Sequence, residues 1–505
     1  MGIVIRQSIK YSILSAFGSL IGALSVLFIY PLDLSLYGYA NGINSLIVFS
    51  APILGFSSNA ILTKYFHSKS LNAGQTLSLS FVFTSLFSIS LSLFVFFAQK
   101  PIFQILQKSG YNTLFLEENL FYILIGGIAL AFISLLTNLS ANFQRTVVPN
   151  LILNLGVKLV FPLLILGAYF AILSKTSVSW ILITYYVLAL LFLFFYTYKI
   201  GQKRDFSFEK FKFKSIPKSL FTFTFISGFT GVANLLASKL DILALAGFGS
   251  LEDIGKYSIV FFIASFIEIP MAGISSISAP IIAKHLEEKE YAELNQLLKK
   301  VSNTLFLSGT FLFVVLGSIF QNLGDISGHS ELFNKGINVF LILGLAKLVD
   351  MVTSLNTHAI SYSKLYHYNL YFVIISAIFN VFLTYFFTTK YGITGTALSI
   401  LISITLFNLL KFILLKISFD LNPFSKVTFK ILLILIILSS LNYWMQTNLN
   451  AFLELILKGS LSVILFLILL KIIKPIPEVD EKIFSKNGLL RNIFKKNYIR
   501  KNLGF

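Results

Sequence analysis

Fourteen apolar stretches, most about 20 residues long, follow one another through this chain of 505 residues. They lie at roughly 11–30, 38–62, 76–98, 120–138, 149–172, 178–198, 220–247, 257–282, 301–320, 336–356, 367–388, 393–415, 429–445 and 452–472. An α-helix needs about 20 apolar residues to cross the bilayer's hydrocarbon core, where every backbone polar group must be satisfied within the segment. The pattern predicts an all-α polytopic membrane protein with 14 transmembrane helices. Charge agrees: only 12% of residues are charged, against roughly 25% in soluble domains. A soluble fold would need a core of implausible size.

The net charge of +19 is distributed along the chain in a way that reads as topology. With the N-terminus placed inside, 29 Lys and Arg fall in inner loops, inner span ends and tails, and seven in outer loops. Seven of the inner ones stand between Lys199 and Lys218, four between Lys284 and Lys300, and nine from Lys471 onward. Basic residues collect on the cytoplasmic side, so both termini are expected there and no nucleic-acid partner is implied. Trp180 and Trp444 then fall at the outer interface, which suits indole. The basic start, Met1 to Lys10, precedes a long apolar run without a clear cleavage site. After Ile472, Ile483, Leu489, Leu490, Ile493 and Phe494 mark either an amphipathic helix on the inner leaflet or a basic tail that obeys the same charge rule.

A seven-residue pattern occurs twice. Pro52-Ile53-Leu54-Gly55-Phe56-Ser57-Ser58 returns 218 residues later as Pro270-Met271-Ala272-Gly273-Ile274-Ser275-Ser276. Gly38 and Gly255, Gly126 and Gly344, Arg145 and Lys364, and Asn150 and Asn369 keep nearly the same register. Two tandem six-helix halves in a membrane protein most often belong to a transporter, because the halves can rock about a site between them. Six spans per half bring both halves into the membrane from the same side, so the repeat is parallel, with a central cavity. The expected organisation is an N-terminal six-helix lobe (1–200), a basic cytoplasmic linker (201–219), a C-terminal six-helix lobe (220–417), appended helices 13 and 14 (418–473) and a basic cytoplasmic tail (474–505). Proline bends a helix and frees a carbonyl, while glycine admits a close neighbour. Pro52, Gly55, Pro270 and Gly273 are therefore hinge candidates in equivalent bent helices, or packing residues that do not move.

Ionisable groups inside spans each cost about 2.5–3.5 kcal/mol at a helix centre on insertion scales. They are Lys158 in span 5, Lys239 and Asp241 in span 7, Glu268 in span 8, and Lys347 and Asp350 in span 10. Lys411 lies near the inner end of span 12 and is set aside as snorkelling. Lys347 and Asp350, three apart on one helix face, are placed to pair. Asp241, Glu268 and Asp350 are candidates for ion coupling, with H+ or Na+ as the ion. Lys158 at its depth suits an anionic group such as a diphosphate. The alternative for each is a structural role: a protonated or paired carboxyl, or a paired lysine.

Several classes are excluded. The chain has no cysteine, so thiol chemistry and disulfides are absent, and its five histidines show no metal-ligand spacing. No phosphate-binding Gly-x-x-x-x-Gly-Lys-Ser/Thr loop occurs, which removes an ATP-driven pump in a single chain. Outer loops are short and carry no recognisable catalytic acids, which disfavours a membrane glycosyltransferase or polymerase. A transporter without catalytic residues or a bound cofactor is expected.

Five local sequences carry a resemblance. The start reads Ile5-Arg6-Gln7-Ser8. Span 7 reads Ser238-Lys239-Leu240-Asp241-Ile242-Leu243-Ala244-Leu245, followed by Ile254-Gly255-Lys256-Tyr257-Ser258. Span 11 holds Asn380, and Tyr391-Gly392-Ile393-Thr394-Gly395-Thr396-Ala397 opens span 12. In order and spacing these resemble the polysaccharide transporter family, the Wzx-type oligosaccharide flippases, of the multidrug/oligosaccharidyl-lipid/polysaccharide flippase superfamily. The resemblance covers nearly the whole chain. It implies a multi-pass protein of the bacterial cytoplasmic membrane that moves an undecaprenyl-diphosphate-linked oligosaccharide from the inner to the outer leaflet for surface polysaccharide biosynthesis. Alternating access, often driven by a cation gradient, and assembly proteins as partners are implied too. Lys158 and Lys347 would then hold the diphosphate or acidic sugars, and Arg145 and Lys364 would guide the head group in. A lipid II flippase and a multidrug/cation antiporter remain as alternatives. The first is expected to carry a more arginine-rich cavity than five arginines allow, and the second usually lacks spans 13 and 14.

Overall fold

The structure, a computed structural model, describes residues 2–66, 72–143, 145–202, 218–444 and 449–473. Among them it is all-helical. The helices are α1 (Gly2–Phe28), α2 (Leu34–Gly55), α3 (Ser58–Tyr65), α4 (Ala73–Lys108), α5 (Leu114–Asn142), α6 (Val147–Asn150), α7 (Val157–Tyr169), α8 (Lys175–Gln202) and α9 (Lys218–Phe248). They continue as α10 (Leu251–Ser265), α11 (Ile269–Glu287), α12 (Tyr291–Ser327), α13 (Ser330–Thr353), α14 (Leu355–Tyr362), α15 (His367–Phe419), α16 (Lys426–Trp444) and α17 (Ala451–Ile473).

The fourteen sequence spans each find a helical segment. Nine helical stretches among the described residues are long and apolar enough to cross a bilayer, with mean hydropathy between 1.7 and 2.4. One of them, α15, is 53 residues long, far more than one crossing needs. It divides at Gly392, whose φ of +55° and ψ of −134° break the helix into spans 11 and 12. Such a backbone favours glycine, because it has no Cβ to clash. Helices α1 and α2 cover the stretches of spans 1 and 2, with a bend of 44° at the 3₁₀ turn Tyr30–Asp33. Helices α9 and α16 supply spans 7 and 13, and α10 with α11 forms span 8. The chain is a multi-pass membrane protein. The linker from 203 to 217 and the tail from 474 lie outside the described residues.

The chain divides into two compact units. One comprises Met1–Ile259 and Val373–Ser399; the other comprises Val260–Phe372 and Ile400–Phe505. In the first, α2 packs on α5 and α9, and α5 packs on α8. Where α2 meets α10, two glycines face one another. A Cβ on Gly38 would stand 1.7 Å from the Leu251 carbonyl oxygen, and one on Gly255 would stand 2.3 Å from the Leu34 carbonyl oxygen. These are the two glycines that the repeat relates. Gly126 likewise admits Ile47 against the backbone of α5, its virtual Cβ lying 2.5 Å from that side chain.

In the second unit, Gly344 admits Phe313 at 2.5 Å and Ile267 at 3.2 Å, close to what Gly126 does with Ile47. Helix α12 carries an aromatic core in which Phe320 stacks on Phe340 at 4.7 Å and tilts against Phe333 at 5.2 Å. Helices α16 and α17 pack on α12. Asn442 donates to the Val314 carbonyl at 3.2 Å and accepts from Ser462 at 3.1 Å, and Asn303 donates to Ser425 at 3.0 Å. Spans 13 and 14 are thus fastened by buried polar contacts as well as by apolar packing, and each such bond removes a polar group from an apolar setting where it would be costly.

Candidate functional site

In the first unit, the helix carrying Lys158 is irregular. It opens as α6, widens into a π-turn over Leu151–Gly156 and continues as α7. The wider ring frees carbonyl groups, and the Tyr185 hydroxyl donates to that of Ile152. Gly156 makes room for this, since a Cβ there would lie 2.3 Å from the tyrosine oxygen. The π-turn also changes which residues share a face. Eight residues of regular α-helix overshoot two turns by ~80°, and a π-turn holds back roughly that much. Asn150 and Lys158 thereby line one pocket, together with Ser15, Gly18, Leu151 and Asn154. Asn154 donates to Asn150 Oδ1 at 3.2 Å, and Asn150 donates to the Thr146 carbonyl at 2.8 Å. Among the described residues no carboxylate pairs with Lys158. The site is a half-buried cation with two amides and a hydroxyl beside it, in a pocket otherwise lined by Leu14, Gly18, Val147, Leu151 and Leu155.

Asp241, in α9 of the same unit, is 6% exposed and accepts a hydrogen bond from the fully buried Tyr257 at 3.0 Å. Farther along this unit, Thr384 donates to Asn380 Oδ1 at 3.2 Å and to Ser399 at 3.1 Å, and Thr388 bonds Thr396 at 2.9 Å. The polar residues of spans 11 and 12 therefore tie these two spans together. The side chain of Lys239 lies outside the described residues.

The second unit holds a different arrangement. Lys347 does not pair with Asp350, three residues on. It pairs with Glu268 at 2.9 Å, and its ammonium lies 5.0 Å from the Phe261 ring centroid. Asp350 accepts from Asn408 Nδ2 at 3.1 Å instead. Asn408 Oδ1 in turn accepts from Lys411 at 3.3 Å. The expectation of a local Lys347–Asp350 pair is corrected because Glu268, 79 residues away in sequence, brings an opposite charge from the neighbouring helix. Lys411, set aside as able to snorkel, is 3% exposed and bonded to Thr357 and Asn408. Sequence reasoning missed Asn408 and Lys411, although their spacing of three puts an amide and an ammonium on one helix face.

Arg145 and Lys364 are exposed, each in the turn that precedes a helix. The two copies of the repeated pattern diverge. After Gly55 the chain leaves the helix, with Phe56 at φ +22° and Ser57 at φ +65°, before α3 begins. The Phe56 ring stacks on Phe87 at 4.6 Å and meets Phe225 and Phe229 edge-on. A Cβ on Gly228 would intrude 2.8 Å from that ring. In the second copy, Pro270 sits in the first turn of α11 after a 3₁₀ turn, Phe266–Glu268, and the helix runs unbroken through Gly273. The expectation of equivalent bends in both copies is thus corrected: the first helix breaks after its glycine, whereas the second is interrupted before its proline. Ile274 stands where Phe56 stands, and a β-branched residue resists positive φ.

Comparison with known proteins places the fold. Neither a family profile nor a curated protein sequence matches the chain. Solved structures do. A structure of the lipid II flippase MurJ in an inward closed conformation superposes with a TM-score of 0.68 and 16% identity, covering 93% of this chain and 98% of that one. A multidrug resistance MATE family transporter of the MOP superfamily, inward-facing, gives 0.60 and 15%, covering 82% and 98%. An outward-facing structure of a MATE family transporter of that superfamily gives 0.54 and 13%, covering 83% and 95%. The chain has the fold that these helical membrane proteins share.

Proposed function

We propose that the chain is a flippase that moves an undecaprenyl-diphosphate-linked oligosaccharide from the inner to the outer leaflet of the bacterial cytoplasmic membrane by alternating access of two six-helix lobes. Surface polysaccharide biosynthesis, with its assembly proteins as partners, is the setting, and both termini are cytoplasmic. The observation that carries this reading is Lys158, a half-buried ammonium lining a pocket of amides and a hydroxyl without a carboxylate partner among the described residues. Such a cation is prepared for a phosphate, and its neighbours are prepared for sugar hydroxyls. Exposed Arg145 and Lys364 would attract the diphosphate on entry. Lys347 would bind an anion in exchange for Glu268. Asp241, Glu268 and Asp350 are the carboxylates considered for coupling to an H+ or Na+ gradient.

The share of the chain that superposes favours a lipid carrier over a drug antiporter. The MurJ likeness spans 93% of the chain and the MATE likenesses 82–83%, a difference near the length of α16 and α17. Transport of lipid II is the second reading, on the same observation. Deleting the gene in a strain that makes a lipid-linked glycan and has no second carrier separates these readings. Accumulation of that glycan in the inner leaflet is expected. A glycan that still reaches the outer leaflet, with lipid II stalled instead, assigns the second reading, and neither effect overturns both.

A further inference from the structure

Lys411 is held in a cage of neutral groups. Its ammonium donates to Thr357 Oγ1 at 2.9 Å and to Asn408 Oδ1 at 3.3 Å, and it lies 3.6 Å from the Phe407 ring centroid. Lys411 and Asn408 are 3% and 2% exposed. Among the described residues no carboxylate is within ion-pairing distance of this ammonium. Its charge is answered one group further on. Asn408 turns its oxygen to Lys411 and its nitrogen to Asp350, so the amide dipole lies between cation and carboxylate in the favourable sense. With Glu268 and Lys347, both partly exposed, the unit carries two acids and two bases in its spans.

Three oxygens lie along this relay: Asn408 Oδ1 and Thr357 Oγ1 on the ammonium, and the Asp350 carboxylate on the Nδ2 side of Asn408. Hard cations such as Na+ choose oxygen ligands of this kind. Two of these oxygens are already occupied by an ammonium on a covalent tether. We infer that Lys411 is a resident cation that answers the Asp350 charge through Asn408 in place of an alkali-metal ion, so that Asp350 binds neither Na+ nor K+ in this protein. A tethered ammonium has an effective concentration that free ions do not reach. Within the proposed function, on which the inference rests only for the relevance of coupling ions, metal-ion coupling then falls to Asp241 or Glu268.

The test uses the intact chain in detergent, with thermal unfolding followed in NaCl, KCl or choline chloride at equal ionic strength. The difference between the metal salt and choline measures specific cation binding, because a ligand of the folded state raises the midpoint. Asp350→Asn is expected to leave the wild-type difference unchanged. Lys411→Ala is expected to add a Na+ or K+ response of about 3 °C or more beyond wild type, by the same linkage. Lys411→Gln serves if Lys411→Ala does not accumulate as folded protein. The double variant with Asp350→Asn is expected to lose the added response. A wild-type response that disappears in Asp350→Asn overturns the inference, and so does a folded Lys411 variant without added response. None of these readouts needs a transported substrate, so their failure is distinct from failure of the flippase assay.

Discussion

The intramembrane lysines Lys158 and Lys347, one in each unit, stand in opposite settings. In the first, Lys158 lines a pocket of amides and a hydroxyl and is left uncompensated by any carboxylate among the described residues. In the second, Glu268 answers Lys347, and Asp350 answers Lys411 through Asn408. A compensated network resists the loss of any one member, because the remaining charge would stay buried and unpaired. An uncompensated cation has no such partner to strand. The comparison therefore separates lysines answered by a carboxylate, directly or through an amide, from one that is not among the described residues, although all of them looked alike as ionisable residues in apolar spans.

Lys347→Met puts the largest strain on this contrast. It strands Glu268, and the expected loss of stability is about 3 kcal/mol, at the low end for broken buried pairs since both side chains retain some exposure. Adding Glu268→Gln should restore most of it, read from denaturation midpoints of the purified protein. Failure of the double variant to recover would make Lys347 a packing residue and weaken the comparison. Next in size, Gly228→Ala pushes a methyl against the Phe56 ring and should cost about 2 kcal/mol through overpacking. Gly273→Ala, with open space around its Cβ in a continuous helix, should gain about 0.5–1 kcal/mol. Equal effects at the two positions would mean that the broken and unbroken copies are mechanically alike.

Tyr185→Phe removes the hydroxyl that satisfies the π-turn and should cost about 1 kcal/mol. Because the π-turn sets the face of Lys158, this variant should also weaken transport of an anionic lipid-linked substrate, while retaining folded protein. Lys158→Met should change stability least, by under about 0.5 kcal/mol, because no opposite charge is stranded. The same substitution should lower transport about tenfold or more, the loss of one charge-assisted hydrogen bond. A stability loss matching that of Lys347→Met would erase the distinction between the two regions.

Much of the architecture was legible because apolar length is a one-dimensional property. The fourteen spans needed no knowledge of partners, and even the division of α15 was visible as a gap around Tyr391-Gly392. The π-turn was not, since a single glycine in Leu151–Gly156 does not mark a wider turn and the tyrosine that it admits comes from α8. The partner of Lys347 was hidden for a related reason. Local spacing suggested Asp350, and only packing could show that Glu268 was nearer. The repeated Pro-x-x-Gly pattern was read as two bends, but the bend depends on an aromatic at the next position and on the rings that receive it. Phe56 has them. Its counterpart, Ile274, is aliphatic and lies in continuous helix.

Gly38 and Gly255 stand one repeat apart in sequence and touch in space. In an assembly of two identical halves, only a surface lying on the rotation axis meets its own copy. A chain fused from such halves keeps that self-contact as a junction between two different residue numbers. The junction has an unusual consequence for variation. Each glycine faces the other helix's backbone, so neither partner has a side chain to shorten in compensation for a substitution opposite. The two positions can change only together with a shift of whole helices.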